Sequence, residues 1–138
     1  MELSLIPTDA QSFMADCGKA WGFSEGLFRA VATGSHPGTL PTHLSLIASN
    51  NPAFRISAVK IPEDESRGGF IVRGYNITGD SQMIALTPWR LFKVVDVVRL
   101  DESETGGRLA LDADGSISFR AAPHRILTFW FHDIHDQS

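Results

Sequence analysis

The 138 residues of this chain suit one domain of ordinary size, and 43 % hydrophobic with 20 % charged residues is a globular composition. The net charge is −4 and the basic residues are scattered singly, which argues against a phosphate-binding groove and against nucleic acid as a partner. Cys17 is the single cysteine, so an internal disulfide and a thiolate metal site are excluded and a reducing compartment is favoured.

No apolar run reaches the roughly 18 residues that a membrane-spanning helix needs, and the first residues do not follow the pattern of a signal peptide. We therefore expect no membrane partner and a cytoplasmic location.

The first 41 residues predict a small N-terminal region of strand, helix and connector. Residues 3–6 favour a short strand, and residues 9–20 favour a helix that Thr8 or Asp9 would cap. Gly22 is the expected end of this helix. A second short strand is predicted at residues 27–33, and a connector rich in proline and glycine at residues 34–41.

The predicted helix has an apolar side. Phe13, Cys17 and Ala20 recur at helical spacing, with Met14 and Trp21 beside them. We expect Cys17 to be a buried structural cysteine and Trp21 to lie in the core.

From residue 42 onwards the pattern is that of β-strands, with apolar and polar residues alternating and turn residues about every ten positions. This predicts an all-β fold: an antiparallel β-sandwich of about eight strands in residues 42–138, which forms one compact unit with the short helical region before it. The predicted strands are residues 42–48, 54–61, 69–76, 82–87, 92–100, 108–112, 116–120 and 125–131.

Two stretches of this pattern support more specific predictions. Asp114 and Gly115 stand between two alternating runs and are the best hairpin signal in the chain, while residues 102–107 have the composition of a turn. Residues 125–131 are apolar at both alternating sets of positions, which predicts a strand covered on both sides.

The polar residues do not gather in a recognisable catalytic pattern. His132, His135 and their neighbouring aspartates could hold a metal loosely, but a fraying C-terminal tail favours solvent exposure. Three acidic clusters fall in predicted turns, where solvent keeps carboxylates ionised, so surface roles are expected for them. The acidic clusters are residues 63–65, residues 101, 102 and 104, and residues 112 and 114.

Two single residues stand out. Trp89 lies between Pro88 and Arg90, outside the alternation, and is either an exposed platform for a sugar ring or a plug that closes the sandwich end. Arg73 interrupts an apolar strand face, and either pairs with a carboxylate of a turn or reaches a ligand.

The central strands resemble a known family. Residues 56–64 (ISAVKIPED) and 69–76 (GFIVRGYN) are similar to the signature of the C-terminal β region of glycoside hydrolase family 38, the α-mannosidases. Looser similarity extends through residues 5–7 and the predicted helix after them, and through residues 36–41, 86–92, 98–102, 115–120 and 123–129. Arg125 stands where the family usually has an acid.

The resemblance implies that this chain is a non-catalytic C-terminal domain of a longer glycoside hydrolase, which packs on the catalytic domain and helps shape its sugar pocket. In such enzymes the zinc ligands, the nucleophile and the general acid belong to the N-terminal part, so we expect no cofactor, no catalytic residue and no activity in this chain alone. Its partners would be the catalytic domain and, through it, a mannose-containing glycan. The expected contacts with carbohydrate or catalytic domain are Arg73, Tyr75, Asn76 and Trp89.

Two alternatives remain, a stand-alone carbohydrate-binding module and a purely structural β-sandwich. A docking surface left exposed could also allow two copies to form a homodimer.

Overall fold

The structure, a computed structural model, describes residues 5–25, 38–39 and 43–133, and only the backbone of residues 22–25. The chain divides into two units, Met1–His43 and Leu44–Ser138, which we describe separately. No helix in these described ranges is long and apolar enough to cross a membrane.

The described element of the first unit is helix α1, Phe13–Glu25. Asp9 caps the turn that leads into it, because its Oδ1 accepts the backbone N–H groups of Gln11 at 2.9 Å and Ser12 at 2.8 Å. The cap is thus confirmed, but the helix begins later and continues past Gly22, the expected end. One internal glycine costs a helix only about 1 kcal/mol, which a helix of 13 residues can tolerate.

The predicted apolar side of α1 is not a buried face in this unit. Phe13 is 45 % exposed and Trp21 37 % exposed, so the core role expected for Trp21 is wrong. Cys17 is only partly buried. Of the strand predicted at residues 3–6, residues 5 and 6 have no regular structure, and the rest lies outside the described residues, as do the strand at 27–33 and most of the connector at 34–41.

The second unit contains eight described strands in two antiparallel sheets, which confirms the predicted β-sandwich. One sheet has the order β1-β4-β7 and the other the order β2-β3-β8-β5-β6. The strands are β1 Ile47–Ser49, β2 Phe54–Lys60, β3 Phe70–Asn76, β4 Gln82–Pro88, β5 Val94–Val98, β6 Glu104–Leu109, β7 Ile117–Ala121 and β8 Ile126–His132.

The core lies between the two sheets, since every second residue of a strand points inward. Aromatic rings join the layers. Phe119 of β7 packs edge-on against Phe54 of β2 at 5.4 Å between ring centroids, and its ring packs at a tilt against Phe129 of β8 at 4.6 Å. Gly74 of β3 leaves the space that the Phe54 ring occupies, because a Cβ atom there would overlap that ring.

Two predictions about the last third of the chain are wrong. Strand β6 begins at Glu104, inside the predicted turn, because Gly106 adopts a φ of 76° and the register shifts between Val97 and Val98. The glycines therefore form a bulge in an edge strand rather than a turn.

The turn at Asp114 and Gly115 exists, with the Gly115 N–H donating to the Asp112 carbonyl at 2.9 Å. It joins β6 to β7, which belong to different sheets, and the flanking residues share only the isolated bridge between Leu111 and Ile117. The predicted hairpin is therefore a crossing between the two layers.

Candidate functional site

Arg73 lies on the outer face of the five-stranded sheet, directly opposite Thr128 of β8. Its Nε donates to Thr128 Oγ1 at 3.3 Å and its Nη2 to the Leu100 carbonyl at 2.7 Å, in the turn between β5 and β6. The positive charge also favours the ionised form of Glu102 nearby. Arg73 therefore holds the β5–β6 turn against the sheet.

Glu102 lies in the same turn, and its burial differs from what the sequence predicts. It is 4 % exposed, although a solvated carboxylate was expected, and its φ of 65° is unusual for a residue with a side chain. Its Oε2 accepts the Glu63 N–H at 2.7 Å, its Oε1 lies 2.9 Å from Lys60 Nζ, and its carbonyl accepts from Arg67 at 2.9 Å. Burial alone would raise the pKa of Glu102, but the Glu63 N–H and the Lys60 ammonium outweigh it and hold the pKa below its ordinary value.

A groove with a volume of about 780 Å³ lies where β5 stops pairing with β8. The last pair of that ladder is Val98 with Thr128, after which the chain folds back so that Arg99 N–H donates to the Ser103 carbonyl at 2.9 Å. The beginning of β8 therefore has no strand beside it on this side, and a gap remains between β8 and the turn.

Apolar side chains form most of this groove. Val97 and Leu127 reach it from the side of the main core, while Leu100 and Ile126 are 58 % and 49 % exposed and form its walls. The prediction that residues 125–131 are covered on both sides thus holds for Thr128 and Trp130, at 2 % and 9 % exposed, but not for Ile126.

The rim of the groove is polar and carries more positive than negative charge. The Asp101 carboxylate accepts the Oγ–H and N–H of Ser103, which lower the pKa of Asp101, and Arg99 donates to the Ser103 hydroxyl and the Glu104 carbonyl. Arg125 is exposed, and its guanidinium has no hydrogen-bond or ion-pair partner among residues 43–133.

Tyr75 and Asn76 belong to the same strand end but point in different directions. Tyr75 is half-buried and lies opposite Ile126, a wall of the groove, and opposite Arg55 on its other side. Asn76 is 1 % exposed and faces the core. Its amide nitrogen donates to the Asp80, Ala121 and Ala122 carbonyls, and its Oδ1 accepts from Thr78. Asn76 therefore joins the two sheets and is closed off from solvent.

Trp89 lies at the opposite end of the sandwich, after β4. Its ring is 41 % exposed and packs on Phe70 at 4.9 Å and Phe92 at 5.6 Å between centroids, so it is both a partial plug and a partial surface. Leu46 and Leu91 are 51 % and 66 % exposed. Leu91 follows Trp89 by two residues, and Leu46 is adjacent in space, since its carbonyl accepts the Trp89 N–H at 3.1 Å. We call Leu46, Trp89 and Leu91 the Trp89 surface.

A polar cluster covers the end of β8. His132 is 9 % exposed, its Nε2 lies 2.8 Å from Asp96 Oδ2, and its ring stacks on Trp130 at 3.6 Å between centroids. Burial alone would raise the pKa of Asp96, but hydrogen bonds from Arg108 and His132 outweigh it and lower the pKa. His132 therefore ends a strand instead of beginning a solvated tail, contrary to the expectation, while His135 lies outside the described residues.

Four candidate contacts were predicted, and the structure brings two of them together. Arg73 and Tyr75 flank the groove, Asn76 lies inside, and Trp89 belongs to the other end of the molecule. Among the described residues, no three histidine, cysteine, aspartate or glutamate side chains gather as metal ligands would.

The comparison with family models gives one match, the glycosyl hydrolases family 38 C-terminal beta sandwich domain, over residues 53–129. The match covers a little over half of the 138 residues and includes β2 to β7 and part of β8. The chain therefore belongs to this domain family, as its strand sequences indicated. No curated protein and no solved structure matches it significantly.

Proposed function

We propose that this chain is the non-catalytic C-terminal domain of an α-mannosidase-like glycoside hydrolase, which packs on the catalytic domain and helps shape its sugar pocket. The family match over residues 53–129 is the observation that carries the proposal, since a domain of this name is one part of a larger hydrolase. In this proposal, zinc and the catalytic carboxylates belong to the partner domain, and the mannose-containing glycan meets this chain only through that partner.

The Trp89 surface supports the proposal, because it has the composition of a docking site. Large apolar side chains with an aromatic anchor at the centre are typical of protein interfaces. The Trp89 ring is held by Phe70 and Phe92, so little side-chain entropy would be lost when a partner covers it. A half-exposed ion pair between Arg90 and Asp133, 3.1 Å apart, lies close by, as expected of a polar rim.

The first test is activity. The purified chain should not hydrolyse an aryl α-mannoside with or without added zinc. An α-mannosidase catalytic domain encoded next to the gene for this chain should show turnover in the same assay. Hydrolysis by the pure chain that a chelator abolishes would refute the non-catalytic role.

The second test is docking. The chain should co-purify with that catalytic domain, and Leu91→Ser should weaken the complex, while Met83→Ser should not. Met83 is a matched control, since it is 62 % exposed and lies on β4 away from the Trp89 surface. Equal effects of the two substitutions would contradict docking through this surface.

One observation favours a second candidate, a carbohydrate-binding module. The half-exposed Trp89 ring lies near the Arg90–Asp133 pair, which offers both donors and acceptors to sugar hydroxyls. Calorimetric titration with manno-oligosaccharides decides this alternative, which fails if the chain alone shows no heat of binding.

A further inference from the structure

The groove between the β5–β6 turn and the beginning of β8 differs in character from the Trp89 surface. Its volume of about 780 Å³ lies within the range of roughly 300–1,000 Å³ that is typical of small-molecule sites. It also combines an apolar interior with charged groups at one margin, which is the usual arrangement for orienting a ligand.

The interior offers contact to an apolar body. Leu100 and Ile126 expose about half or more of their surface here, although both belong to the well-packed unit. Val97 and Leu127 lie deeper and pack against the main core, so the bottom of the groove is part of the packed unit. A ring or short aliphatic chain that covers these side chains would remove apolar area from water at about 25 cal/mol per Å².

The margin carries more positive than negative charge. The rim carries two guanidinium groups, Arg99 and Arg125, against the single carboxylate of Asp101, with His124 in addition. Asp101 and Arg99 are both engaged by Ser103, whereas the Arg125 guanidinium has no partner among residues 43–133. The chain carries a net charge of −4, but this rim is locally positive and therefore attracts anions.

The backbone adds polar groups. The Arg125 carbonyl accepts the Asn76 N–H of β3, so the next residue, Ile126, directs its N–H and carbonyl to the side of β5. The β5–β8 ladder ends before it, at Val98 and Thr128. A ligand in the groove therefore meets a main-chain donor and acceptor between the apolar walls and the cationic rim.

We propose that this groove binds a small organic anion with an apolar body. The anionic group lies at Arg125 and His124, and the apolar body lies against Leu100, Ile126 and Leu127. The inference does not depend on a catalytic domain, and it is tested on the full chain alone.

The test uses two fluorescent probes that share an aromatic body. Anilinonaphthalene sulfonate carries a negative charge, and N-phenyl-naphthylamine does not. We expect the sulfonate to bind at one saturable site and more tightly than the neutral probe, with affinity that falls as salt rises. Methyl chemical-shift changes should occur at Leu100, Ile126 and Leu127, and not at Leu46 and Leu91.

Because Arg125 is exposed, Arg125→Gln should weaken binding of the sulfonate about threefold to tenfold, as the loss of one ordinary hydrogen bond predicts. Arg125→Lys should keep most of the affinity. Arg120→Gln is the matched control, because it removes the same charge from an exposed position on β7 in the other sheet. Thermal unfolding of each variant checks that it is folded.

The proposal is overturned if Arg125→Gln and Arg120→Gln have equal effects, or if the neutral probe binds as tightly as the sulfonate. Absence of saturable binding, or shift changes confined to the Trp89 surface, would equally overturn it.

Discussion

Glu102 and Lys60 form an ion pair of 2.9 Å that joins the β5–β6 turn to the end of the edge strand β2. In the sheet order, β3 and β8 lie between the two partners, so the turn must cross the outer face of both strands. Arg67 reinforces the crossing from the β2–β3 connection, because it donates to the Glu102 carbonyl and stacks on Trp130. The β5–β6 turn, held by this pair, therefore forms a cover over the outer face of β3 and β8.

The Glu102 carboxylate makes the free energy of unfolding depend on pH. Because the pKa of Glu102 is lowered in the folded chain, its contribution is complete above the ordinary glutamate pKa of about 4.3 and is lost as the pH falls through the lowered value. We predict that Glu102→Gln reduces the free energy of unfolding by about 1–3 kcal/mol at neutral pH, because the Glu63 N–H and the Lys60 ammonium lose a buried charged acceptor. Denaturant titrations from neutral to acidic pH should show the two proteins converging at low pH.

Glu104→Gln is the control for that experiment. It lies two residues further along, and its side chain is 73 % exposed in a pair with Arg67 of 3.5 Å, so it should change stability little. A wild-type to Glu102→Gln difference that is constant over the whole pH range would contradict the assignment.

Asn76 supports a second prediction, which separates a structural from a binding role. Asn76→Ser should lower the free energy of unfolding by about 2–3 kcal/mol, because several buried carbonyls lose their donor together. Asn76→Asp should cost more, since it places a carboxylate against those carbonyls. If thermal unfolding is unchanged in Asn76→Ser, the side chain does not join the sheets as described.

The elements that local pattern defines were predictable from the sequence. Strands β3 and β8 were placed within one residue at each end, because alternation of inward and outward residues is a property of the strand itself. Even the two-sided burial of most of β8 was visible as apolar residues on both faces.

The candidate sites were less predictable, since they depend on distant contacts. The burial of Glu102 rests on the Glu63 N–H, 39 residues away, and nothing in a run of acids indicates which one is buried. The groove exists because β5 leaves β8 after one particular pair, Val98 with Thr128. Glycines such as Gly106 mark both turns and bulges, so composition alone could not distinguish them.

Gly74 gives a third prediction. A Cβ atom there would lie 2.7 Å from the Arg55 carbonyl and would also overlap the Phe54 ring, which is 3 % exposed. Gly74→Ala should therefore cost about 1–3 kcal/mol, as overpacking of a core does. Gly107→Ala, where the nearest atom is 3.3 Å away in an edge strand, should cost clearly less. Equal unfolding midpoints for the two variants would contradict the close approach at Gly74.

The last prediction concerns Arg67, whose guanidinium carbon lies 3.9 Å from the centre of the Trp130 ring. Arg67→Ala should lower the free energy of unfolding by about 1–3 kcal/mol, because it removes both this cation–π contact and the bond to the Glu102 carbonyl. Arg67→Lys should restore little, since an ammonium lacks the planar fork that makes both contacts at once.

Arg90 offers a matched comparison for Arg67. It also stacks on an aromatic ring, that of Phe92 at 3.8 Å, but its side chain is 46 % exposed against 21 % for Arg67. Arg90→Ala should therefore cost less than about 1 kcal/mol, because solvent weakens the contact. Denaturant unfolding of both variants measures the difference. A larger loss for Arg90→Ala than for Arg67→Ala would show that the cover over β8 contributes less than its geometry indicates.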